Sequence, residues 1–488
     1  MATFVTNQKK RGEDSVASGT FYLLTAQLFM LIAGYAIHVF LGRRLQPSAY
    51  GLFGVVMALL TWLEVSLTGG FPYSIRKLGA ENPSRIREIA RTAFKGQIVY
   101  AMFLFVIAEL LAPVVAAILH EPRLTLLIRI ASLDIPIYAL YYVYLGVLNG
   151  QRTFKRQSIP MGLYAGVKIG AVLLLVIAGW GVTGALIGNI LASVMGFGIA
   201  VAMTGRIGPG KMEPLKNLIS FAASTAAIGI IFTLLINIDL FAVKALIKDS
   251  NQVGYYVAAS TLAKTPFLLF VAISSAILPA VSKAVSVNNQ ELARNYVSQA
   301  FRLHIILLFP LTALVMGSAK RLVELIYGYQ YTAASSALAL LMLSFMFYGL
   351  LNTINNMLLA TGETRKPLFC SVALVLVVLA ICILLIPQYG LMGGAIAATT
   401  TGIIGMIIET VWVYLRFGQP IATRSVINIS IASTVIYLSI RAINVTDLWL
   451  LPVYAALGGF YALILVCLRE LTQADLKRLP PILRGNKA

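Results

Sequence analysis

Long apolar runs constrain this chain more than any other feature. Stretches of about 20 apolar residues, the length a helix needs to cross a bilayer's hydrocarbon core, recur along the whole sequence. The runs are continuous rather than alternating, which excludes a β-barrel. Breaking them at charges, prolines and glycine clusters gives fourteen segments: 19–41, 49–71, 98–119, 124–148, 158–179, 182–204, 217–243, 254–282, 300–319, 333–360, 368–387, 391–415, 425–441 and 448–468. The expected fold class is an all-α polytopic membrane protein with about 14 transmembrane helices. Connections are short. The longest runs 26 residues from Pro72 to Gln97, and the longest on the opposite side is Lys320–Thr332. Neither is large enough for the soluble domain that membrane-embedded enzymes usually carry, so a transporter rather than an enzyme is expected.

Composition matters for what the charges do. Only 11% of residues are charged, yet 38 Lys+Arg stand against 18 Asp+Glu, a net charge of +20. With the N-terminus inside, 27 of the basic residues fall in the termini and loops of one side and 8 on the other, leaving Arg129, Lys168 and Lys264 within the spans. The positive-inside rule then puts both termini in the cytoplasm. The positive excess is expected to orient the protein and meet anionic membrane lipids, not nucleic acid. Lys9, Lys10, Arg11, Glu13 and Asp14 precede no short apolar core with a cleavage site, so the N-terminal segment reads as a retained tail. Cys370, Cys382 and Cys467 all lie in apolar runs and provide neither a disulfide framework nor metal spacing; no metal site is expected.

The sequence repeats itself. Gly51 before the second segment aligns with Gly254 before the eighth. Beyond them one offset of 207 pairs Pro72 with Pro279, Arg76 with Lys283, Arg87 with Arg294, Phe94 with Phe301 and Lys95 with Arg302. Gly181-Val-Thr-Gly184 likewise matches Gly390-Leu-Met-Gly393. Segments 1–6 and 7–12 are thus two copies of one unit. An even number of helices per copy makes the repeats parallel. The expected organisation is an N-lobe over 1–215, a C-lobe over 216–418, and two extra C-terminal helices with a tail over 419–488. Two six-helix lobes around a central site suit alternating access.

Leu41-Gly-Arg-Arg-Leu-Gln-Pro-Ser-Ala-Tyr-Gly-Leu-Phe53 resembles the Gly-Arg-x-Leu-x-Pro-x-x-Tyr-Gly pattern joining the first two helices of polysaccharide transporters (Wzx-type oligosaccharide flippases). These belong to the multidrug/oligosaccharidyl-lipid/polysaccharide (MOP) exporter superfamily. Asn237-Ile-Asp239 followed by Val253-Gly-Tyr-Tyr256 is similar to the start of that family's second lobe. The resemblance covers essentially the whole chain. It implies a flippase moving undecaprenyl-diphosphate-linked oligosaccharide from the cytoplasmic to the outer leaflet of a bacterial or archaeal cytoplasmic membrane, for O-antigen or exopolysaccharide biosynthesis. A cation-coupled multidrug antiporter and a lipid II flippase are the alternatives. No cofactor is expected; H+ and Na+ are the candidate coupling ions. The lipid-linked glycan is the expected partner, with glycosyltransferases and a polymerase of the same pathway.

Flipping carries a charged, hydroxyl-rich headgroup through hydrocarbon, which calls for cations opposite the diphosphate and hydrogen-bonding or aromatic groups for the sugars. Charges inside spans are costly and usually face the bundle interior. Lys264, two residues before Pro266, is the first candidate for phosphate, with an ion pair to Asp239 or Glu64 or snorkelling as the structural alternative. Asp134, Tyr138, Tyr141 and Tyr142 share one helical face, and Tyr348, Asn352, Asn355 and Asn356 repeat that spacing in the partner span. Cavity lining and interhelical hydrogen bonding both fit these stripes. Arg76, Lys77 and Lys283 close spans 2 and 8 at the cytoplasmic entrance, as topology anchors or as first contacts for the anionic substrate. Glu109, Lys168, Glu409 and His38 also lie within spans, without partners legible in the sequence. Ile86, Ile89, Ala90, Ala93 and Phe94 share a face opposed to Arg85, Arg87, Arg91 and Lys95, which reads as an amphipathic helix at the lipid interface.

Overall fold

The computed structural model describes residues 16–287, 289–361, 363, 365–419, 421–443 and 449–471. Among the described residues every regular element is a helix. In order they are α1 Val16–Arg44, α2 Pro47–Gly69, α3 Phe71–Glu81, α4 Ile86–Ile118, α5 Arg123–Ser132, α6 Asp134–Gly150, α7 Phe154–Leu175, α8 Gly181–Thr204, α9 Leu215–Leu235 and α10 Ile238–Leu246. They continue with α11 Ser250–Ser286, α12 Gln290–Gly317, α13 Ala319–Tyr327, α14 Ala334–Ala360, α15 Arg365–Tyr389, α16 Leu391–Phe417, α17 Thr423–Ala442 and α18 Leu450–Cys467.

Among the described residues, 11 helical stretches are long and apolar enough to cross a membrane, or up to 12 when the pair Ala226–Leu235 and Ile238–Leu246, bent by 43°, counts as one span. Fourteen is not reached by this measure, for two reasons. Segments 158–179 and 182–204 fall in one stretch, Phe154–Thr204. Segment 254–282 lies in α11, whose side chains over 269–280 are outside the described set.

The Phe154–Thr204 stretch is a hairpin. Gly179 and Gly181 carry φ of 93° and 51°, a region open to glycine at little cost, and α8 folds back along α7. The repeat partner turns in the same way: Gly390 has φ 57° and ψ −136°, against 51° and −133° at Gly181. Three residues on, a Cβ at Gly184 would stand 2.8 Å from Trp180 Cβ, and one at Gly393 would stand 2.4 Å from the Leu385 carbonyl oxygen. The Gly-x-x-Gly motif therefore does the same two jobs in both copies: a left-handed backbone for the turn, and no side chain where the helices close.

The chain divides into two compact units, Met1–Val257 and Ala258–Ala488. In the first, α9 is tied to α2 and α3 by Trp62 Nε1 donating to the Ile230 carbonyl (3.1 Å) and Ser74 Oγ donating to the Leu218 carbonyl (3.2 Å). The amphipathic stretch from Ile86 is the first part of α4, not a separate helix. Its apolar face meets protein: Ile86, Ile89, Ala90 and Ala93 pack on Ile75, Val143, Val147 and Leu218. The repeat-matched glycines Gly51 and Gly254 meet directly, because a Cβ on Gly51 would lie 2.8 Å from the Gly254 nitrogen. In the second unit, α17 and α18 pack on α12. Ile429, Ile436, Ile440, Leu457 and Leu465 join Val297, Ile305 and Leu314 in one core, and Tyr461 donates to the Ile306 carbonyl at 2.9 Å.

Between α4 and α5, Glu121 binds two cations. Arg123 Nε donates to Oε1 at 2.8 Å, and the Lys244 ammonium lies 3.5 Å from Oε2. The Arg123 hydrogen bond, with help from Lys244, holds the Glu121 carboxyl below the usual carboxylate range. Lys244 is 3% exposed, so removing Glu121 strands a buried charge, which costs more than removing both partners. Glu121→Gln is expected to lower Tm by several degrees in detergent, and Lys244→Met by less, because Glu121 then keeps Arg123. A carboxyl depressed in the fold stabilises above its unfolded value near 4.3 and loses that contribution as pH falls through its lower folded value. The gap between wild type and Glu121→Gln should therefore narrow below about pH 4. Equal Tm for the two at pH 7 would refute this role.

Candidate functional site

In the first unit, three charged residues that are far apart in sequence come together. Glu64 on α2 and Asp134 at the start of α6 lie close together, and Lys168 on α7 is near enough to interact electrostatically with both. Asp134 is fully buried and accepts from Asn189 Nδ2 on α8 at 2.8 Å. Glu64 and Lys168 keep part of their surface open. Two neighbouring carboxyls with one ammonium near them can both be charged only at a steep cost in a low-dielectric interior, so one proton or one further cation balances the cluster.

A tyrosine ladder leads away from this cluster. Tyr138 is one turn along α6 from Asp134, and its ring lies 4.6 Å from that of Tyr142. Tyr141 is turned elsewhere: it is fully buried and stacks on Tyr164 (5.5 Å, 14°), which in turn carries the Lys168 ammonium 5.7 Å from its ring centroid. At the far end stands Arg76 on α3, in the neighbourhood of Tyr73, Tyr138 and Tyr142. Its Nε is buried and has no hydrogen-bond partner among the described residues. A guanidinium is planar, permanently charged and built for bidentate phosphate binding. From Asp134 to Tyr142 the helix rises about 12 Å. The column thus presents a carboxyl–ammonium cluster at one end, phenols along its length, and an unsatisfied guanidinium at the other.

Arg76 is thus half-buried, while Lys77 beside it is exposed. Lys283 is exposed on α11. Asp239 is buried on α10 and accepts from Tyr256 Oη at 2.6 Å. Two other intramembrane charges are explained by each other: Arg129 lies 3.6 Å from Glu109, which also accepts from Ser132 at 2.6 Å. His38 Nδ1 pairs with Tyr50 Oη at 3.0 Å.

The second unit carries its own polar helix. On α14 the Asn355 amide, with its nitrogen toward the carboxylate, donates to both oxygens of buried Glu409 on α16 (2.9 and 3.3 Å). Cys370 on α15 lies near the same carboxyl. Tyr348 donates to the Ala398 carbonyl at 3.2 Å. Asn352 and Asn356 are half-buried, and the Asn352 amide nitrogen has no partner among the described residues. Lys264 lies 5.6 Å above the Phe345 ring of this helix, within cation–π range. The stripe thus divides by role, with Tyr348 and Asn355 tying helices together and Asn352 and Asn356 left more open.

The sequence profile of the polysaccharide biosynthesis proteins matches residues 40–336. The chain belongs to that family. The resemblance carried by Leu41–Phe53 accordingly holds. Stage V sporulation protein B of Bacillus subtilis (strain 168) is 23% identical over 96% of this chain and 98% of its own length. A Shigella flexneri protein whose name assigns it to O-antigen transport is 20% identical over 77% of this chain and 92% of its own. Among solved structures, the lipid II flippase MurJ in an inward closed conformation has a TM-score of 0.75 at 17% identity, covering 93% of this chain and 99% of that one. An inward-facing MATE multidrug transporter of the MOP superfamily follows at 0.69 and 16%, covering 80% and 94%. At these identities the two structures establish a shared fold: this polysaccharide biosynthesis protein is built like those two transporters.

Sequence reasoning missed the proximity of Lys168 to Glu64 and Asp134. Asn189, a lone amide in an otherwise apolar span, was the available signal for a polar partner near Asp134. Nothing in the sequence links Arg76 to Tyr138 and Tyr142, which lie more than 60 residues away.

Proposed function

We propose that this protein is a flippase that moves an undecaprenyl-diphosphate-linked oligosaccharide, or a related lipid-linked glycan, to the outer leaflet by alternating access during cell-surface polysaccharide biosynthesis. The observation that carries the reading is Arg76, an unsatisfied guanidinium at the end of a phenol ladder. A diphosphate fits the cation, and sugar hydroxyls and ring faces fit the tyrosines. Lys264, over the Phe345 ring in the second unit, is a separate candidate cation for phosphate. The membrane is the cytoplasmic membrane of a bacterium or archaeon, with both termini inside, a reading supported by the 27-to-8 asymmetry of basic residues. Glycosyltransferases and a polymerase of the same pathway supply and consume the glycan. The Glu64–Asp134–Lys168 cluster, which needs one proton or one further cation for balance, supports coupling to H+ or Na+.

A lipid II flippase presents the same diphosphate and differs in its sugars, so the two readings part on substrate and not on the cation. Purified protein in proteoliposomes is expected to translocate a lipid-linked oligosaccharide, faster under an imposed proton or sodium gradient. Lys264→Ala is expected to cut the rate by about tenfold or more, as loss of a charged phosphate contact would. Drug efflux without lipid translocation would sink the flippase reading. Translocation of lipid II alone would move it to peptidoglycan, and an unchanged rate in Lys264→Ala would remove that residue from the site.

A further inference from the structure

The two copies of the repeat differ where the last helix of each ends. Both helices stop on a left-handed glycine. Gly205 (φ 79°) donates to the Val201 carbonyl after α8, and Gly418 (φ 77°) to the Tyr414 carbonyl after α16. The chain then runs from Arg206 to Pro214 before α9, but only from Gln419 to Ala422 before α17. In the first unit the longer connection folds over the start of α4 and supplies acceptors to its arginines. Arg91 donates to the Gly208 carbonyl (2.6 Å) and the Lys211 carbonyl (3.1 Å), and Arg85 pairs with Glu213.

The second unit has an arginine in the same place, Arg294, which the repeat offset matches to Arg87, but without the acceptors. Arg294 on α12 lays its guanidinium against Gly418, with Cζ 3.2 Å from where a Cβ would stand, as Arg91 does at Gly210 (2.6 Å). Beside Gly418 lies a cavity of about 380 Å³, lined among others by Val285, Gln290, Glu291, Arg294, Thr361 and Arg416. Among the described residues, no hydrogen bond or ion pair engages Arg294. Arg416 is only loosely held: it lies 4.0 Å from one oxygen of Glu363, whose other oxygen is taken by Lys366 at 2.6 Å. Arg294, Arg416 and Lys366 thus outnumber the carboxylates Glu291 and Glu363 around this space.

We propose that this cavity is a phosphate-binding site, distinct from the column in the first unit, in which Arg294 and Arg416 grip one phosphate group from two sides. The phosphate replaces the acceptors that the longer connection provides in the other copy. A free phosphate or a phospholipid headgroup carries the required chemistry, and the volume accommodates either. The inference does not depend on the flippase reading.

The test uses the full chain in an Arg76→Gln, Lys264→Ala background, so that neither cation proposed for transport contributes. Inorganic phosphate and pyrophosphate are titrated calorimetrically in detergent. Retention of phosphatidylglycerol over phosphatidylcholine is read by native mass spectrometry from mixed nanodiscs. Adding Arg294→Gln with Arg416→Gln is expected to weaken binding by about tenfold or more, and the double lysine variant to recover part of it. Both positions are exposed, so Tm should not move. Loss of phosphate binding identifies a soluble ligand, whereas loss of phosphatidylglycerol retention alone identifies a lipid headgroup. Equal behaviour of the parent and the double glutamine variant in both formats, or no binding by the parent in either, overturns the site.

Discussion

Arg76→Gln is expected to abolish glycan export while the protein remains inserted and abundant. The guanidinium keeps a buried Nε without a partner, so the fold already bears the cost of desolvating it and gets no hydrogen bond in return. Groups of that kind are retained where a ligand completes them. Replacing it with glutamine removes the charge and the two-pronged geometry but keeps bulk and polarity, so packing of α3 should survive or improve. Hydrogen bonds to charged groups are worth about 1.5–3 kcal/mol each, and a diphosphate gripped by two of them loses about 10²- to 10⁴-fold without them. Arg76→Lys, which restores a point charge without the fork, should recover only part of the rate. Lys77→Gln, one residue on but exposed, should transport normally. Export in cells and translocation in proteoliposomes both read the result. Wild-type rates in Arg76→Gln, or equal losses in Arg76→Gln and Lys77→Gln, would return Arg76 to the role of a topology anchor.

What the sequence made legible follows from periodicity and symmetry, and what it hid follows from packing. The apolar runs specify helices because a span must satisfy its own backbone, and the matched glycines specify where helices turn or touch. Gly181 and Gly390 adopt nearly the same dihedrals, and Gly51 meets Gly254, so repeated residues perform repeated work. The amphipathic stretch from Ile86 shows the limit of such reading. A face of isoleucines and alanines looks the same whether it meets lipid or protein, and here it meets Ile75 and Val147. The charged cluster shows a second limit. Glu64, Asp134 and Lys168 sit on three helices, and only the angle at which α2, α6 and α7 pack decides that they meet. Asp134 was found because its own helix bears a stripe; Lys168 has none, so its partners stayed hidden until the helices were assembled.

The repeat glycines also give the sharpest steric prediction: Gly254→Ala is expected to be among the most destabilising single-methyl additions in the molecule. A Cβ there would stand 1.9 Å from the Pro47 carbonyl oxygen and 2.5 Å from its carbon, where ordinary contact begins near 3.4 Å. Those are backbone atoms in the first turn of α2, so no rotamer change relieves the clash, and α2 and α11 must part by about 1.5 Å. Close backbone approach through small residues is how helices associate in a membrane, where lipid offers no hydrophobic drive to hold them. Opening this contact forfeits the packing of Gly54 on Val257 as well, since a Cβ at Gly54 already has only 2.3 Å to Val257 Cγ1. Overpacking of this kind costs about 1–3 kcal/mol and more where backbone meets backbone. Gly51→Ala, at 2.8 Å from the Gly254 nitrogen, should cost less. Gly34→Ala, with nothing within 4 Å, should raise stability slightly through helix propensity. Thermal unfolding of the three variants in one detergent should rank them Gly34→Ala, Gly51→Ala, Gly254→Ala in falling Tm. A Gly254→Ala protein as stable as wild type would mean that α2 and α11 do not approach through these glycines.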